Sequence, residues 1–231
     1  MNIEVVFEDA NFIIINKPSG VVVHPFDFST ELTLVDFLQE KYKEIFLIEN
    51  TVVLQDSRTI SLGGIVHKLD RDTSGVMVIA KTQETFGFLK EQFRSHATQK
   101  TYIALVGGIV NDNVFTIDAP LGRNKKEYKQ TVNPSNPRGE LREAITDVEV
   151  LEQGNMKTLV KLYPKTGRTH QLRAHMAYIG HPIVGDKAYG GILDSERIML
   201  HAESLGFSLE GKDYEFKVDT PTEFTIFLKQ K

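Results

Sequence analysis

One stretch of the chain holds two carboxylates, two cations and a histidine between apolar flanks: Ile65-Val66-His67-Lys68-Leu69-Asp70-Arg71-Asp72-Thr73-Ser74-Gly75-Val76-Met77-Val78-Ile79-Ala80. Val76 to Ala80 has the length and β-branched content of a buried strand, and Thr73-Ser74-Gly75 supplies turn chemistry just before it. A carboxylate on the lip of such a strand, with cations on both sides, can stay ionised in a partly dry cleft. The same residues also describe a surface turn in which Asp70 or Asp72 bonds its own backbone.

A second polar constellation, Pro164-Lys165-Thr166-Gly167-Arg168-Thr169-His170-Gln171-Leu172-Arg173-Ala174-His175-Met176, runs into a helical pattern. Thr169 is placed to cap a helix with Leu172, Met176 and Ile179 on its apolar face, and Gly180 to end it. Arg173 lies one turn beyond Thr169, so this helix can aim it at a cleft, and the helix N-terminus offers free backbone N–H groups. A third segment carries Arg123, Lys125, Lys126, Lys129, Arg138 and Arg142 with Tyr128, Pro134 and Pro137 between them. It reads as a long turn-rich loop, either solvated or fitted to a polyanion, with cations for phosphates and a ring available for stacking.

Several chemistries do not fit. His170, His175 and His181 are spaced by five and six residues, which does not stack them on one helical face, and no H-E-x-x-H occurs, so a zinc hydrolase is a distant reading. Asp70 and Asp72 are too close in sequence to flank a sugar as a glycosidase pair does. Neither a nucleophile elbow nor a phosphate-binding P-loop is present. A single carboxylate, guanidinium groups elsewhere and a basic loop suit one acid acting on a substrate held through phosphates.

The elements that must position these groups read as one α+β domain over residues 1–231, built around a largely antiparallel mixed sheet with flanking helices. Strands are expected at Ile3 to Phe7, Phe12 to Ile15 and, after the turn Asn16-Lys17-Pro18-Ser19-Gly20, at Val21 to Val23. A helix is expected near residues 31–46, a loop over 47–64, and a helix from Thr82 to His96 with Phe86, Leu89 and Phe93 facing the core. Strands follow at Thr101 to Val106 and as a hairpin, Ile145 to Leu151 with Thr158 to Tyr163. Ile198 to Leu200, Phe207 to Leu209, Tyr214 to Val218 and Phe224 to Leu228 complete the strand set.

With 231 residues, 41% hydrophobic and 25% charged, the chain can bury a sizeable core and has ordinary soluble composition. A net charge of −4 announces no polyanion partner, although it can hide a local basic face. The absence of cysteine removes disulfides, thiolate nucleophiles and Cys-ligated zinc. No transmembrane run and no signal-peptide pattern is seen, which points to a soluble, cytoplasmic protein.

Taken in order, Asn16-Lys17-Pro18-Ser19-Gly20, His67 to Gly75, Lys100-Thr101-Tyr102, Thr166 to Arg173 and His181-Pro182-Ile183-Val184-Gly185-Asp186 resemble the motifs of the RluA-type RNA pseudouridine synthases. The likeness runs from about residue 4 to 228, and Arg197 to Ala202 looks like the family's C-terminal part. It implies a pseudouridine synthase fold with a central active-site cleft. It also implies a cofactor-free and metal-free isomerase that moves a uridine's ribosyl link from nitrogen 1 to carbon 5 in structured ribosomal or transfer RNA, after flipping the base.

The resemblance places the catalytic aspartate at Asp70, the stacking tyrosine at Tyr102 and the arginine that pairs with the acid at Arg173. Arg168 is then a phosphate ligand, and Lys17 supports the cleft or its RNA. His67, Lys68, Arg71 and His170 are further substrate contacts, with Arg123, Lys125 and Lys126 contributed by the basic loop. A carboxylate suits the reaction, because breaking the glycosidic bond builds positive charge on the sugar. Bonding to the ribose, attack on the base and assistance to proton removal all remain open as its step. One departure stands out: Lys68 occupies the position of a family arginine, so it keeps the charge and loses the planar fork. A monomer without a separate N-terminal RNA-binding domain is expected, and a non-catalytic RNA-binding protein of the same fold is the alternative.

Overall fold

The computed structural model describes residues 2–25, 31–54, 56–124, 129–132 and 137–230, so Lys125, Lys126, Tyr128 and Pro134 lie outside the described residues. Strands β1 (Glu4–Glu8) and β2 (Phe12–Lys17) form an antiparallel hairpin. Its turn is closed by Asp9, whose carboxylate accepts from the backbone N–H groups of Asn11 at 2.7 Å and Phe12 at 2.9 Å. Val21 to Val23 form no strand. Their carbonyls instead serve the next helix, Val22 and Val23 accepting from the N–H groups of Leu34 and Val35.

Helix α1 (Leu34–Lys41) starts with a capping box between Thr33 and Asp36. It is shorter than the helix expected over residues 31–46, because Tyr42 leaves helical geometry and Lys43–Leu47 continue as a 3-10 turn. The expected loop over 47–64 contains a hairpin of β3 (Thr51–Val53) and β4 (Thr59–Ser61). Strands of three residues are too short to show a period.

β5 (Ser74–Ala80) is buried along its whole length and pairs antiparallel with β2, placing Lys17 opposite Gly75. α2 (Gln83–Arg94) is capped by Thr82, whose hydroxyl accepts from Thr85 N at 3.1 Å.

Beyond these come β6 (Gln99–Gly107), β7 (Val114–Asp118), β8 (Leu121–Asn124), β9 (Gln130–Val132) and β10 (Pro137–Arg142). β11 (Ile145–Gln153) and β12 (Lys157–Pro164) form the expected hairpin. α3 (Gln171–Tyr178), β13 (Leu200–Leu209), β14 (Lys212–Lys217) and α4 (Glu223–Lys229) complete the order. Two expectations are corrected. The basic segment read as a loop holds a small sheet in the order β10-β8-β9, whose polar strands lack the apolar alternation that reveals a half-buried strand. Phe224 to Leu228 is helical. A strand would put Ile226 on the face of Phe224 and Leu228, but Ile226 is 56% exposed while the other two are fully buried.

The chain divides into two compact units, one of Met1–Gln99 with Ser204–Val218 and one of Lys100–Glu203 with Asp219–Lys231. In the first, β1, β2 and β5 carry a core of Phe12 to Ile15, Met77 to Ile79, Leu34, Leu38 and Leu89. Phe207 and Tyr214 meet Phe12 edge-on with centroids 5.2 Å apart. In the second, β6, β12, β11 and β7 are consecutive antiparallel neighbours. Their core includes Ile103, Leu105, Val148, Val160 and Leu162, with Leu172 and Met176 from α3 and Phe224 and Leu228 from α4. An α+β fold is thus observed, as the sequence suggested.

Candidate active site

In the first unit, Asp70 sits half-buried in a turn just before β5, and Thr73 N donates to its carbonyl at 3.1 Å. The turn Asn16–Gly20 holds the backbone on either side of Asp72. Gly20 N donates to Arg71 O at 2.9 Å, and the Ser19 hydroxyl donates to Asp72 O at 2.7 Å. Gly20 adopts φ +85°, the left-handed conformation that glycine takes without a steric penalty.

Lys17 completes the clamp. Its ammonium is 0% exposed and donates at 2.9 Å to the carbonyls of Pro18, Val21 and Arg71. Three N–H groups on three carbonyls use the full donor capacity of an ammonium. The Lys17 ammonium thus bonds the loop from within the protein.

His67 also faces the protein. Its Nε2 accepts from Val78 N at 3.1 Å, which puts the ring proton on Nδ1, and the ring stacks on Phe93 at 4.3 Å. Arg71 is ion-paired with Glu31 at 2.6 Å. Lys68 is exposed, on the rim of a hollow lined by His24, Ile65, Val66, Phe86 and Lys90.

In the second unit, Tyr102 is half-buried on β6 opposite Leu162 of β12. Arg173 projects from α3, 7% exposed, and grips Asp186 with both arms: Nε donates to Oδ2 at 2.7 Å and Nη2 to Oδ1 at 3.0 Å. Asp186 is fully buried and also accepts from the backbone N–H groups of Ala188 and Tyr189. A bidentate pair of this kind fixes the orientation of the guanidinium plane. The Tyr189 ring lies 5.0 Å from the same guanidinium.

The Tyr189 hydroxyl in turn donates to Gln130 O at 3.0 Å and accepts from Gln130 N at 3.1 Å. With its single proton committed, it can only accept from His170 Nδ1 at 3.2 Å, which assigns the His170 proton to Nδ1. Asp186 and Tyr189 thus position Arg173, and the sequence gave neither a role. The only available signal was the motif His181 to Asp186, which was seen without a function.

The N-terminus of α3 differs from expectation. The cap is His170, in left-handed geometry at φ 54° with no side-chain capping bond, and Thr169 lies outside it. Gln171 does the bonding instead. Its carboxamide oxygen accepts from Arg168 N at 3.0 Å and Thr166 Oγ1 at 2.8 Å, while its nitrogen donates to Ile145 O at 3.0 Å. The C-terminal end is as read: Gly180 has φ +86° and donates to Ala177 O, and His181 N donates to Met176 O.

Arg123, Arg142 and Arg168 line one cleft of about 470 Å³ with one carboxylate, Glu140, and with Leu121, Gly122, Gln130, Gly139, Gly167 and Thr169. The cleft brings the small sheet and the loop before α3 together, with three guanidinium groups against one carboxylate. Each remaining histidine of this region has its own partners. His175 is fully buried between Thr146 Oγ1 and Ala119 O, both at 2.9 Å, and burial lowers its pKa. His181 Nδ1 lies 2.9 Å from Gly107 O. Among the described residues, no cluster of three metal-ligating side chains occurs.

Comparison with known proteins identifies the class to which this α+β fold belongs. The RNA pseudouridylate synthase family profile matches residues 11–178. A ribosomal large subunit pseudouridine synthase D of Borreliella burgdorferi is 37% identical, covering 98% of this chain and 68% of the relative. Its counterpart of the same name in Zymomonas mobilis is 34% identical, covering 98% and 72%. The solved structure of human RNA Pseudouridylate Synthase Domain Containing 1 superposes with a TM-score of 0.76 at 28% identity, covering 94% of this chain and 83% of that one. The chain belongs to the RNA pseudouridine synthase family, of the RluA type, and is an isomerase acting on RNA.

Proposed function

We propose that the protein flips and isomerises specific uridines of structured ribosomal RNA, with Asp70, Tyr102 and Arg173 as its catalytic residues. The observation that carries this reading is the clamp on the Asp70 turn. Lys17, Ser19 and Gly20 all bond the backbone of Arg71 and Asp72, so the carboxylate is presented from a preorganised loop, as electrostatic stabilisation of a developing sugar cation requires. The reaction breaks the N1–C1′ bond and forms a C1′–C5 bond. The C5 proton is lost and N1 gains one, so no oxidant, reductant or cofactor enters the balance. The names of the relatives support ribosomal RNA as substrate, and transfer RNA is a further candidate. Such a substrate places the enzyme in the cytoplasm, and it acts as a monomer.

Asp70→Asn is expected to keep the melting temperature of the parent protein and to abolish tritium release from RNA labelled at carbon 5 of uridine. Full release by that variant would remove Asp70 from the chemistry. RNA binding without release by the parent protein would instead identify a non-catalytic binder.

A further inference from the structure

Lys100 opens the second unit, two residues before Tyr102 on β6, and side chains alternate along a strand, so the two share a face. Consecutive same-face positions are roughly 7 Å apart, a span one nucleotide can bridge between its base and its phosphate. Among the described residues, no carboxylate, carbonyl or ring partners the Lys100 ammonium. The side chain is nevertheless largely withdrawn from water, and that desolvation lowers its pKa. An ammonium in such a place costs free energy unless something compensates it.

The opening to the ammonium lies at Gly167. A Cβ placed there would stand 3.8 Å from Lys100 Nζ and meet no other atom within 4 Å. Gly167 is itself in the wall of the cleft formed by Arg123, Arg142 and Arg168. Lys100 is not itself among the residues lining the cleft; the bare backbone of Gly167 stands between its ammonium and that cleft. Contrast Lys17, which carries the same ammonium and has three carbonyl acceptors. Lys17 is a structural lysine, and Lys100 has the opposite arrangement: charge, burial and a gap.

We propose that Lys100 is a fourth cation of the RNA-binding cleft, donating through the gap at Gly167 to a phosphodiester oxygen of the RNA. The inference rests on the reading of the protein as an RNA-directed isomerase and adds to it a specific phosphate ligand. A phosphate supplies the acceptor that the fold withholds, and the resulting charge-assisted bond is stronger than a neutral one. A half-buried ammonium adds more than an exposed surface lysine, because its attraction for the anion is less screened.

The test compares parent, Lys100→Met and Lys100→Arg by filter binding to a ribosomal RNA fragment that the parent modifies, over a range of salt. Loss of one charged hydrogen bond predicts that Lys100→Met binds about tenfold more weakly. The slope of log affinity against log salt becomes shallower by about 0.7–0.9. KM rises while kcat at saturating RNA is kept. Its melting temperature stays level or rises, since an uncompensated charge has been removed, and Lys100→Arg retains most of the affinity. A lysine with a purely structural role would show the reverse, a lower melting temperature with unchanged affinity and slope, and that result overturns the proposal.

Amine acetylation of the unmutated protein, read by mass spectrometry, gives a second measurement that needs no variant. RNA is expected to protect Lys100, and equal modification with and without RNA counts against it. Failure of the broader reading looks different, because the parent would then release no tritium from any RNA.

Discussion

At the scale of single residues, Lys17 and Asp186 are both buried charges whose partners include backbone groups. Asp70, Tyr102 and Arg173 stand out by type and motif. That Lys17 is a loop clamp follows only from seeing its three carbonyl acceptors, one of which belongs to a residue 54 positions away. Asp186 was invisible for a related reason: an aspartate in a Gly-Asp turn normally bonds its own backbone, and here it does so while also holding Arg173.

His170, His175 and His181 are each hydrogen-bonded to protein partners. His175 allows a pH prediction. Burial lowers its folded pKa, so between that value and the unfolded value of about 6.5 the unfolded chain binds more protons. Stability must therefore fall as pH drops below about 6.5 and recover as pH rises. His175→Gln should lower the melting temperature at pH 7.5 but reduce its further loss on going to pH 5. An equally steep loss in that variant would assign the effect to other groups.

At the scale of elements, strongly patterned segments were placed correctly, as with β2, β5, α2 and the β11–β12 hairpin. Misreadings fell where the pattern is intrinsically weak. Phe224 to Leu228 satisfies both a period of two and a helical spacing, and only the exposure of Ile226 decides between them. The sheet of β8, β9 and β10 has polar strands, and what secures it to α3 is a side chain from elsewhere in sequence. Tyr189 bonds both the N–H and the carbonyl of Gln130, closing the edge of β9 as another strand would.

Tyr189→Phe removes those bonds and the His170 contact with almost no change of shape. It is expected to cost roughly 1–2 kcal/mol, with faster hydrogen exchange confined to β8–β10 and the start of α3. Uniformly faster exchange across β11 and β12 would show that the hydroxyl supports the whole unit rather than this sheet.

At the scale of the molecule, the charge balance hides the site. A net charge of −4 repels a polyanion at long range, so binding must come from cations gathered in one place. The structure gathers Arg123, Arg142 and Arg168 around one cleft, and the inference about Lys100 adds a fourth. With about 0.7–0.9 of a counterion released per neutralised phosphate, four such contacts give a salt slope of about −3 to −4. Replacing Arg123 and Arg168 together by Gln should bring the slope to about half that value, leaving the melting temperature nearly unchanged because Arg123 is exposed and, among the described residues, the Arg168 side chain donates only to the carbonyl of Glu143 from its Nε. A parent slope near −10 would mean that the RNA is held across a far wider surface than this cleft. An unchanged slope in the double variant would mean that it is held somewhere else.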